Sequence, residues 1–335
     1  MKVFRGYQHP ALAPQCALTI GNFDGVHRGH QAMLALLKNE AQHRGMPACV
    51  MTFEPHPREY FSPATAPARI STLRDKLTEL ARCGIDQTVV LPFNAQLASK
   101  TPDAFINEVL VAGLRARYVL VGDDFRFGAR RAGDYGMLDA AGDRQGFDVA
   151  RMNSYEVHNT RVSSSAVREA LAQGRMDDAA RLLGRPYSIS GHVVHGRKLG
   201  RELGFPTLNL RFSHWKPAAG GIFAVHVHGL AEQALPGVAN LGVRPSLDPA
   251  DGNAGRVLLE TYCLDWPARL GAEGAYGKII RVELLHKLHD ELKYDGLDAL
   301  QAGIARDCAD ARVFFAQALA SMHTGTSRQT TRDRI

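Results

Sequence analysis

Two rhythms of apolar and polar positions divide the chain. In the first half, short unbroken apolar runs alternate with stretches whose apolar residues recur every three or four positions. "CALTI", "ACVMTF", "TVVLPF", "RYVLVG" and "FDVARM" read as strands buried on both faces, the habit of parallel sheets. Between them, "HQAMLALLKNEAQHRG" sets Met33, Leu34, Leu37 and Ala41 on one helical face. "STLRDKLTELARCG" and "TPDAFINEVLVAGL" behave likewise, the latter with a threonine cap and a proline at the first helical position. Strand–helix alternation of this kind predicts a doubly wound α/β domain, with ligands bound beyond the carboxyl ends of its strands. "SSSAVREALAQGRMDDAARLLG" reads as a helical connector. From about Tyr187 the rhythm changes: "YSISGHVVHG", "GIFAVHVHG", "LPGVANLG", "RVLLETYCLD" and "KIIRVELLHKL" are strand-like and separated by turns rich in glycine and proline. That predicts a small antiparallel barrel or sandwich, closed by the helix "DALQAGIARDCADARVFFAQALA". The expected division is 1–185 for the first domain, 186–322 for the second, and a disordered tail over 323–335.

Composition adds limits to this picture. At 335 residues, 45% hydrophobic and 22% charged, the chain is long enough for two domains with real cores. No apolar run approaches the roughly 18 residues of a membrane span, and "MKVFRGYQHPALAPQ" lacks the apolar centre of a signal peptide. The five cysteines are odd in number and scattered, with no C-x-x-C pair. That argues for reduced thiols in a cytoplasm and against a disulfide framework or a structural zinc. A net charge of +6 suits an anionic ligand. The only dense polar, basic stretch is the terminal "TGTSRQTTRDRI", so nucleic acid is not expected as a partner, and neither is a membrane. Nothing in the pattern fixes the number of copies that assemble.

The chemistry begins at "GNFDGVHRGH", Gly21 to His30, just past the "CALTI" strand. His27 and His30 are three apart and share a helical face, and Gly29 between them leaves room for a ligand to approach the backbone. The turn feeds a helix N-terminus, whose N–H groups and dipole favour anions. On these residues alone, phosphate, proton and metal chemistry stay open, as does a pair of surface histidines. Later segments bring similar groups to other strand ends. "FEPHPREYF" carries His56 between two prolines, and "VGDDFRFGARRAG" offers Asp123, Asp124 and the aromatic pair Phe125 and Phe127. "TRVSSSAVR" supplies Arg161, Ser163, Ser164 and Arg168, hydroxyls and guanidinium groups suited to a triphosphate.

A second candidate lies in "GHVVHGRKLGRELGFPTLNL", with Gly196, Gly200 and Gly204 at regular spacing but no phosphate-loop lysine pattern. In an extended strand Thr207 and Asn209 point to one face and present a hydroxyl and an amide oxygen to a hard cation such as Mg²⁺. In "RVLLETYCLD", Glu260 is the only carboxylate within an apolar run. Burial would raise its pKa and make it a general base; a solvated edge-strand glutamate is the alternative.

Taken together, "GNFDGVHRGH", "PHP", "GDDFRFG" and "TRVSSSAVR" resemble the FMN adenylyltransferase module of bacterial bifunctional FAD synthetases, a branch of the nucleotidyltransferase superfamily with a Rossmann-like fold. "GHVVHGRKLGRELGFPTLNL", "GIFAV", "GVANLGVRPS", "LLETYCLD" and "YGKIIRVELLHKLHDELKY" resemble, in order, the riboflavin kinase module that follows it. The similarity runs from about residue 15 to 318. It implies an enzyme that makes FMN from riboflavin and ATP, and FAD from FMN and ATP with release of pyrophosphate. It implies that His27 and His30 hold the reacting phosphates, that Gly21, Phe23, Asp24 and Gly29 shape the nucleotide pocket, and that Arg161, Ser163, Ser164 and Arg168 meet the triphosphate. His56 and Asp124 would stand near the phosphates or FMN. In the kinase module it implies a six-stranded barrel with Thr207 and Asn209 on Mg·ATP, Glu260 as base, and Gly196, Gly200, Gly204 and Arg244 around ATP or flavin. His289 stands where the family usually has arginine, which predicts a weaker cation on the flavin side. A flavin-sensing protein with one inactive module, and a synthetase-like RNA ligand, are the alternatives.

Overall fold

The computed structural model describes residues 1–153, 155–157, 160–196, 200, 203–211, 216–243, 257–271 and 273–329. They form two compact units. Met1–Pro67, Leu73–Val167 and Leu182–Gly184 make the first; Ala68–Thr72, Arg168–Arg181 and Arg185–Ile335 make the second.

In the first unit, six strands form one parallel sheet: β1 (Lys2–Arg5), β2 (Cys16–Ile20), β3 (Ala48–Glu54), β4 (Gln87–Pro92), β5 (Ala116–Gly122) and β6 (Asp148–Met152), in the order β1-β4-β3-β2-β5-β6. The apolar runs are continuous because both faces are covered. Leu18, Ile20, Met51, Val119 and Val121 join one cluster with Ile106, Leu110 and Leu138. Ala17, Val50, Tyr118 and Leu120 point the other way, against Leu34, Leu37 and Leu80. The helices that supply these partners include α1 (Arg28–His43) and α3 (Leu73–Arg82), which flank the short α2 (Pro57–Phe61) in the chain. After α4 (Ala95–Ala98), α5 (Pro102–Ala104) runs into a π-helical stretch (Phe105–Gly113), and α6 (Tyr135–Gln145) precedes β6. Thr101 caps α5 by accepting the Ala104 N–H, as the sequence predicts.

The sequence pattern misses β1, an edge strand in which only Phe4 of the four residues is buried and which leaves no apolar run to read. "CALTI" is therefore the second strand, not the first. Its position matters more than its number. From β2 the chain moves to β3 and β4 on one side, then crosses to β5 on the other. The carboxyl ends of β2 and β5 thus flank the point where the winding reverses, where ligands bind in such sheets.

The chain next forms a two-residue hairpin, β7 (Glu156–Val157) with β8 (Thr160–Arg161), and then the connector. The connector is two helices, α7 (Ser164–Ala172) and α8 (Met176–Leu183). The break falls at Gly174, whose φ of +69° ends α7 in a left-handed cap.

In the second unit β9 (Tyr187–Val194), β10 (Leu208–Arg211), β11 (Gly221–His228), β12 (Leu235–Val243), β13 (Val257–Cys263) and β14 (Ile279–His289) close an antiparallel barrel, ordered β10-β13-β12-β11-β14-β9. The final helix, α9 (Leu297–Gln329), continues through the first part of the segment expected as a tail; residues 330–335 lie outside the described residues. Cys308 and Ala311 of α9 pack on Ala224, Val238 and Leu264 of the barrel, with Phe314 and Phe315 at the border. Beneath those two rings lie imidazoles: His226 stacks on Phe315 at 5.2 Å and His286 on Phe314 at 5.1 Å.

His289 ends β14, and its Nε2 meets Asp307 Oδ1 of α9 at 2.8 Å. Burial opposes the imidazolium, but the Asp307 carboxylate, the Asp290 carbonyl and the nearby Asp310 outweigh it and raise the His289 pKa. The weaker cation expected from the sequence is thus reinforced by its neighbours. A raised folded pKa stabilises fully below the unfolded value of about 6.5 and is lost as pH rises through the folded one. Asp307→Asn is expected to lower the thermal midpoint by roughly 2–4 °C at pH 6, and by less at pH 9. A gap of equal size at both pH values would show that the contact is not an ion pair.

Candidate functional site

The first unit holds a cavity of about 1170 Å³ lined only from the carboxyl side of its sheet. Gly21, Asn22, Phe23, His30 and Met33 come from the segment after β2, His56, Arg58 and Phe61 from that after β3, and Phe93 from that after β4. Asp124, Phe125, Arg126, Phe127, Arg130 and Arg131 follow β5, and Ser164 opens α7. One wall is aromatic: Phe53, Phe61 and Phe93 meet edge to face, and Phe125 stacks on Phe127 at 5.4 Å. The opposite chemistry is cationic, from the four arginines. Arg130 and Arg131 have φ of +56° and +58°, a backbone state that side chains other than glycine rarely adopt and that gathers at functional sites.

The turn from β2 into α1 is strained in the same way. Phe23 and Val26 have φ of +48° and +42° and are almost wholly buried, so packing holds what the backbone resists. A Cβ at Gly21 would lie 3.1 Å from the Phe23 ring. His27 is the N-cap of α1, and its Nδ1 accepts the His30 N–H at 3.3 Å. The anion-binding end expected from the sequence therefore has one first-turn N–H already taken by the protein. The space that Gly29 leaves is also occupied: a Cβ there would meet the His27 ring and the Val162 carbonyl at 3.3 Å. Gly29 thus admits close protein packing.

The two imidazoles lie face to face, with centroids 3.6 Å apart and planes 17° apart. His27 is buried behind, and His30 lines the cavity. His30 Nδ1 is buried with no hydrogen-bond partner among the described residues, as is Asn22 Oδ1. Burial, then the neighbouring His27 and Lys76, hold the His30 pKa well below the ordinary value. Lys76 is a buried group behind the site that sequence reading missed: it lies on the polar run of α3 but is only 1% exposed, with Nζ 3.5 Å from Thr52 Oγ1. Thr52 in turn donates to the Asn22 carbonyl.

The remaining candidates divide into lining and supporting groups. His56 lines the cavity and caps α2, its Nδ1 accepting the Arg58 N–H while Glu59 accepts the His56 N–H. Ser164 lines it and donates to the carbonyl of the buried Asp24 at 3.1 Å. Ser163 accepts the Ala166 N–H at the start of α7. Arg161 stands 3.6 Å from Asp123. Arg168 falls in the second unit, where its Nε donates to the Ala68 carbonyl at 2.7 Å. The sequence signal for Arg126, Arg130 and Arg131 was present in "FRFGARRAG"; only the fold turns it toward the cavity.

The second site is built on the barrel's outer wall. Along β13, Val257, Leu259, Thr261 and Cys263 are buried and the residues between them half-buried. Glu260 is thus on the outward face, not in the interior, and is only partly desolvated. Asn209 of β10 is its direct partner on one side and Asn240 of β12 on the other. Asn209 is buried at 6% because the chain after β9 folds over it: a Cβ at Gly196 would lie 2.6 Å from its Nδ2. A Cβ at Gly200 would lie 2.5 Å from the Phe205 carbonyl and 3.4 Å from Thr207 Oγ1. Gly204 takes φ of +87° in the turn before β10. Arg244 lies outside the described residues. The hydroxyl of Thr207 and the amide of Asn209 are hard oxygen donors of the kind Mg²⁺ accepts. Among the described residues no group of three or more histidine, cysteine, aspartate or glutamate side chains is placed to hold a metal.

Comparison with known proteins finds two family modules in succession along the chain. The FAD synthetase family model matches residues 9–166 and the riboflavin kinase model residues 183–315. The chain is 46% identical over 318 residues to the bifunctional riboflavin kinase/FMN adenylyltransferase of Escherichia coli strain K12, covering 94% of this chain and 98% of that protein. The proteins so named from Pseudomonas fluorescens and Haemophilus influenzae are 43% and 40% identical, with 98% and 99% of their lengths covered. A solved structure described as a macrolide-efflux protein of Streptococcus pneumoniae shares the fold, with a TM-score of 0.72, 25% identity, and coverage of 93% of this chain and 99% of that one. No helix among the described residues here is long and apolar enough to cross a membrane.

A depressed histidine pKa ties stability to pH. The unfolded chain protonates His30 near pH 6.5 while the folded site resists, so stability is lost as pH falls below about 6.5. His30→Phe, which keeps a ring against His27, is expected to flatten the fall in thermal midpoint between pH 7.5 and 5.5. Parallel slopes for the two proteins would remove His30 from the explanation.

Proposed function

This chain belongs to the family of bifunctional riboflavin kinases/FMN adenylyltransferases, and on that premise we propose how its own residues perform the two reactions. It phosphorylates riboflavin with ATP to give FMN, and it transfers AMP from ATP to FMN to give FAD and pyrophosphate. We assign the second step to residues 1–185 and the first to 186–322, in keeping with the extents of the two family matches.

In the adenylyl transfer, an FMN phosphate oxygen attacks the α-phosphorus and pyrophosphate leaves from the opposite side. The protein's task is positioning and charge stabilisation. The aromatic wall suits the flat isoalloxazine ring, and Arg58, Arg126, Arg130 and Arg131 suit the phosphates. A cavity of about 1170 Å³ exceeds the usual size for one small ligand, as a site for two substrates must. His30, neutral when the site is empty, offers its ring N–H to the phosphates. Developing negative charge there favours its protonation, and His27 fixes the ring plane behind it.

In the kinase step, the observation that carries the reading is the register that sets Asn209 directly opposite Glu260. Glu260 takes the proton of the riboflavin 5′-hydroxyl as the oxygen attacks the γ-phosphorus, the bond to the β–γ bridging oxygen breaks, and ADP leaves. Thr207 and Asn209 would hold Mg²⁺ with ATP, and the ion would neutralise charge on the phosphate oxygens. A side chain at Gly196 would collide with Asn209, and one at Gly200 would crowd the Phe205 carbonyl beside Thr207. The alternative of a flavin sensor with one inactive module has no observation in its favour, since both sites keep their reacting groups. We place the protein in a cytoplasm: all five cysteines are free thiols, four of them buried. Riboflavin, FMN and ATP are its partners; neither nucleic acid nor a membrane is among them.

Two substitutions test the division of labour. Glu260→Gln is expected to abolish nearly all FMN formation from riboflavin while FMN adenylylation continues; equal loss of both would refute the two-site assignment. His30→Ala is expected to do the reverse, lowering FAD formation ~10²-fold or more. Product analysis with riboflavin and FMN as separate substrates reads both.

A further inference from the structure

One row across the barrel's outer wall carries more polar chemistry than the kinase step uses. In register order, β10, β13, β12, β11 and β14 contribute Asn209, Glu260, Asn240, Ile222 and His289. Neighbours in such a row face the same side and stand about one strand spacing, 4.8 Å, apart. Asn209 and Asn240 therefore flank Glu260 from both sides, and only Asn209 has a role so far.

Asn240 is half-buried, and its Oδ1 is closed off from solvent without a hydrogen-bond partner among the described residues. Buried amide oxygens in that state are uncommon, and each asks for a reason. The strand does not need a polar residue there. Ala239 and Leu241, on either side, fill the barrel interior, and Val238, on the same face as Asn240, packs into the apolar cluster under α9. A leucine or valine at 240 would extend that cluster. The carboxamide is instead held one strand away from the group assigned as base.

Riboflavin supplies the missing partner. Its ribityl chain presents a 5′-hydroxyl at the end and secondary hydroxyls along the way to the ring. A hydroxyl a few bonds from the 5′-oxygen falls within about one strand spacing of it, the separation between Glu260 and Asn240. Beyond Asn240 the row turns apolar at Ile222, which packs against the cluster under α9. A hydroxyl both donates and accepts, so it satisfies the carboxamide in either orientation of the amide.

We propose that Asn240 binds the ribityl chain of riboflavin: its buried carboxamide takes a hydrogen bond from a secondary hydroxyl and so holds the 5′-hydroxyl against Glu260. This rests on Glu260 serving the kinase step. The test compares wild-type protein with Asn240→Leu and Asn240→Ala on riboflavin and on analogues lacking one ribityl hydroxyl each. Asn240→Leu is expected to lower kcat/KM for riboflavin by roughly 10- to 100-fold, mainly through KM, with the KM for ATP and the rate of FMN adenylylation unchanged. Its thermal midpoint is expected to rise, because an unsatisfied polar atom is gone. One deoxy analogue should bring the wild type down to the level of the variant, and the variant should lose nothing further with it. Should Asn240→Leu fail to adenylylate FMN, Asn240→Ala carries the same comparison. Variants within twofold of wild type on riboflavin, or an equal further loss on every analogue, would overturn the proposal while Glu260→Gln stays inactive. A wild-type protein that forms no FMN would bring down the Glu260 assignment and this one with it.

Discussion

Burial on both faces of the parallel sheet is the constraint from which the first site follows. With Leu18, Met51 and Val119 covered on one side and Val50, Tyr118 and Leu120 on the other, the central strands have no free face on which to present a polar group. Chemistry can leave the sheet only where the strands end. The winding reversal beside β2 and β5 opens a crevice at those ends, and every segment that lines the cavity enters it from there. The barrel obeys the same rule with a different outcome. Its interior is filled by Phe223, Val225, Leu259 and their neighbours, and α9 covers part of the outer wall. The polar row of Asn209, Glu260 and Asn240 lies on that outer wall.

The histidine pair shows how packing overrides local preference. Two residues in the turn before it sit in the left-handed region without being glycine, and each such residue costs about 1–3 kcal/mol. Buried contacts of Phe23 and Val26 hold them there. The turn then delivers His27 as a helix cap and His30 as its stacked neighbour. Burial, then the neighbouring His27 and Lys76, hold the pKa of the cavity-lining member, His30, well below the ordinary value. Rigidity and a depressed pKa have one cause, the dense packing of a short loop.

Glycine serves both sites by letting backbone come close to neighbouring groups. Gly29 admits the His27 ring and the Val162 carbonyl; Gly196 admits the Asn209 amide. Ser163 and Ser164 likewise spend hydroxyls on a helix start and on the Asp24 carbonyl. The serine-rich motif thus fastens the site's frame as well as facing the cavity.

Much of this protein is readable from the order of its residues. Continuous apolar runs separated by helical periods imply a parallel sheet, because only strands buried on both faces lose their alternation. Short strands with no helices between them imply the barrel. The candidate residues cluster at strand ends or in one outward-facing row, so motif and position agree. The strand Lys2–Arg5 was invisible because an edge strand of four residues carries too little pattern. Lys76, Asn22 and Asn240 were invisible for another reason: burial and an orphaned polar atom belong to surroundings assembled from distant segments. Glu260 shows the line between the two. Its sequence marked a lone carboxylate in an apolar strand, but which face it takes, and which two asparagines flank it, is decided by strand register, a property of the closed barrel and not of any one strand.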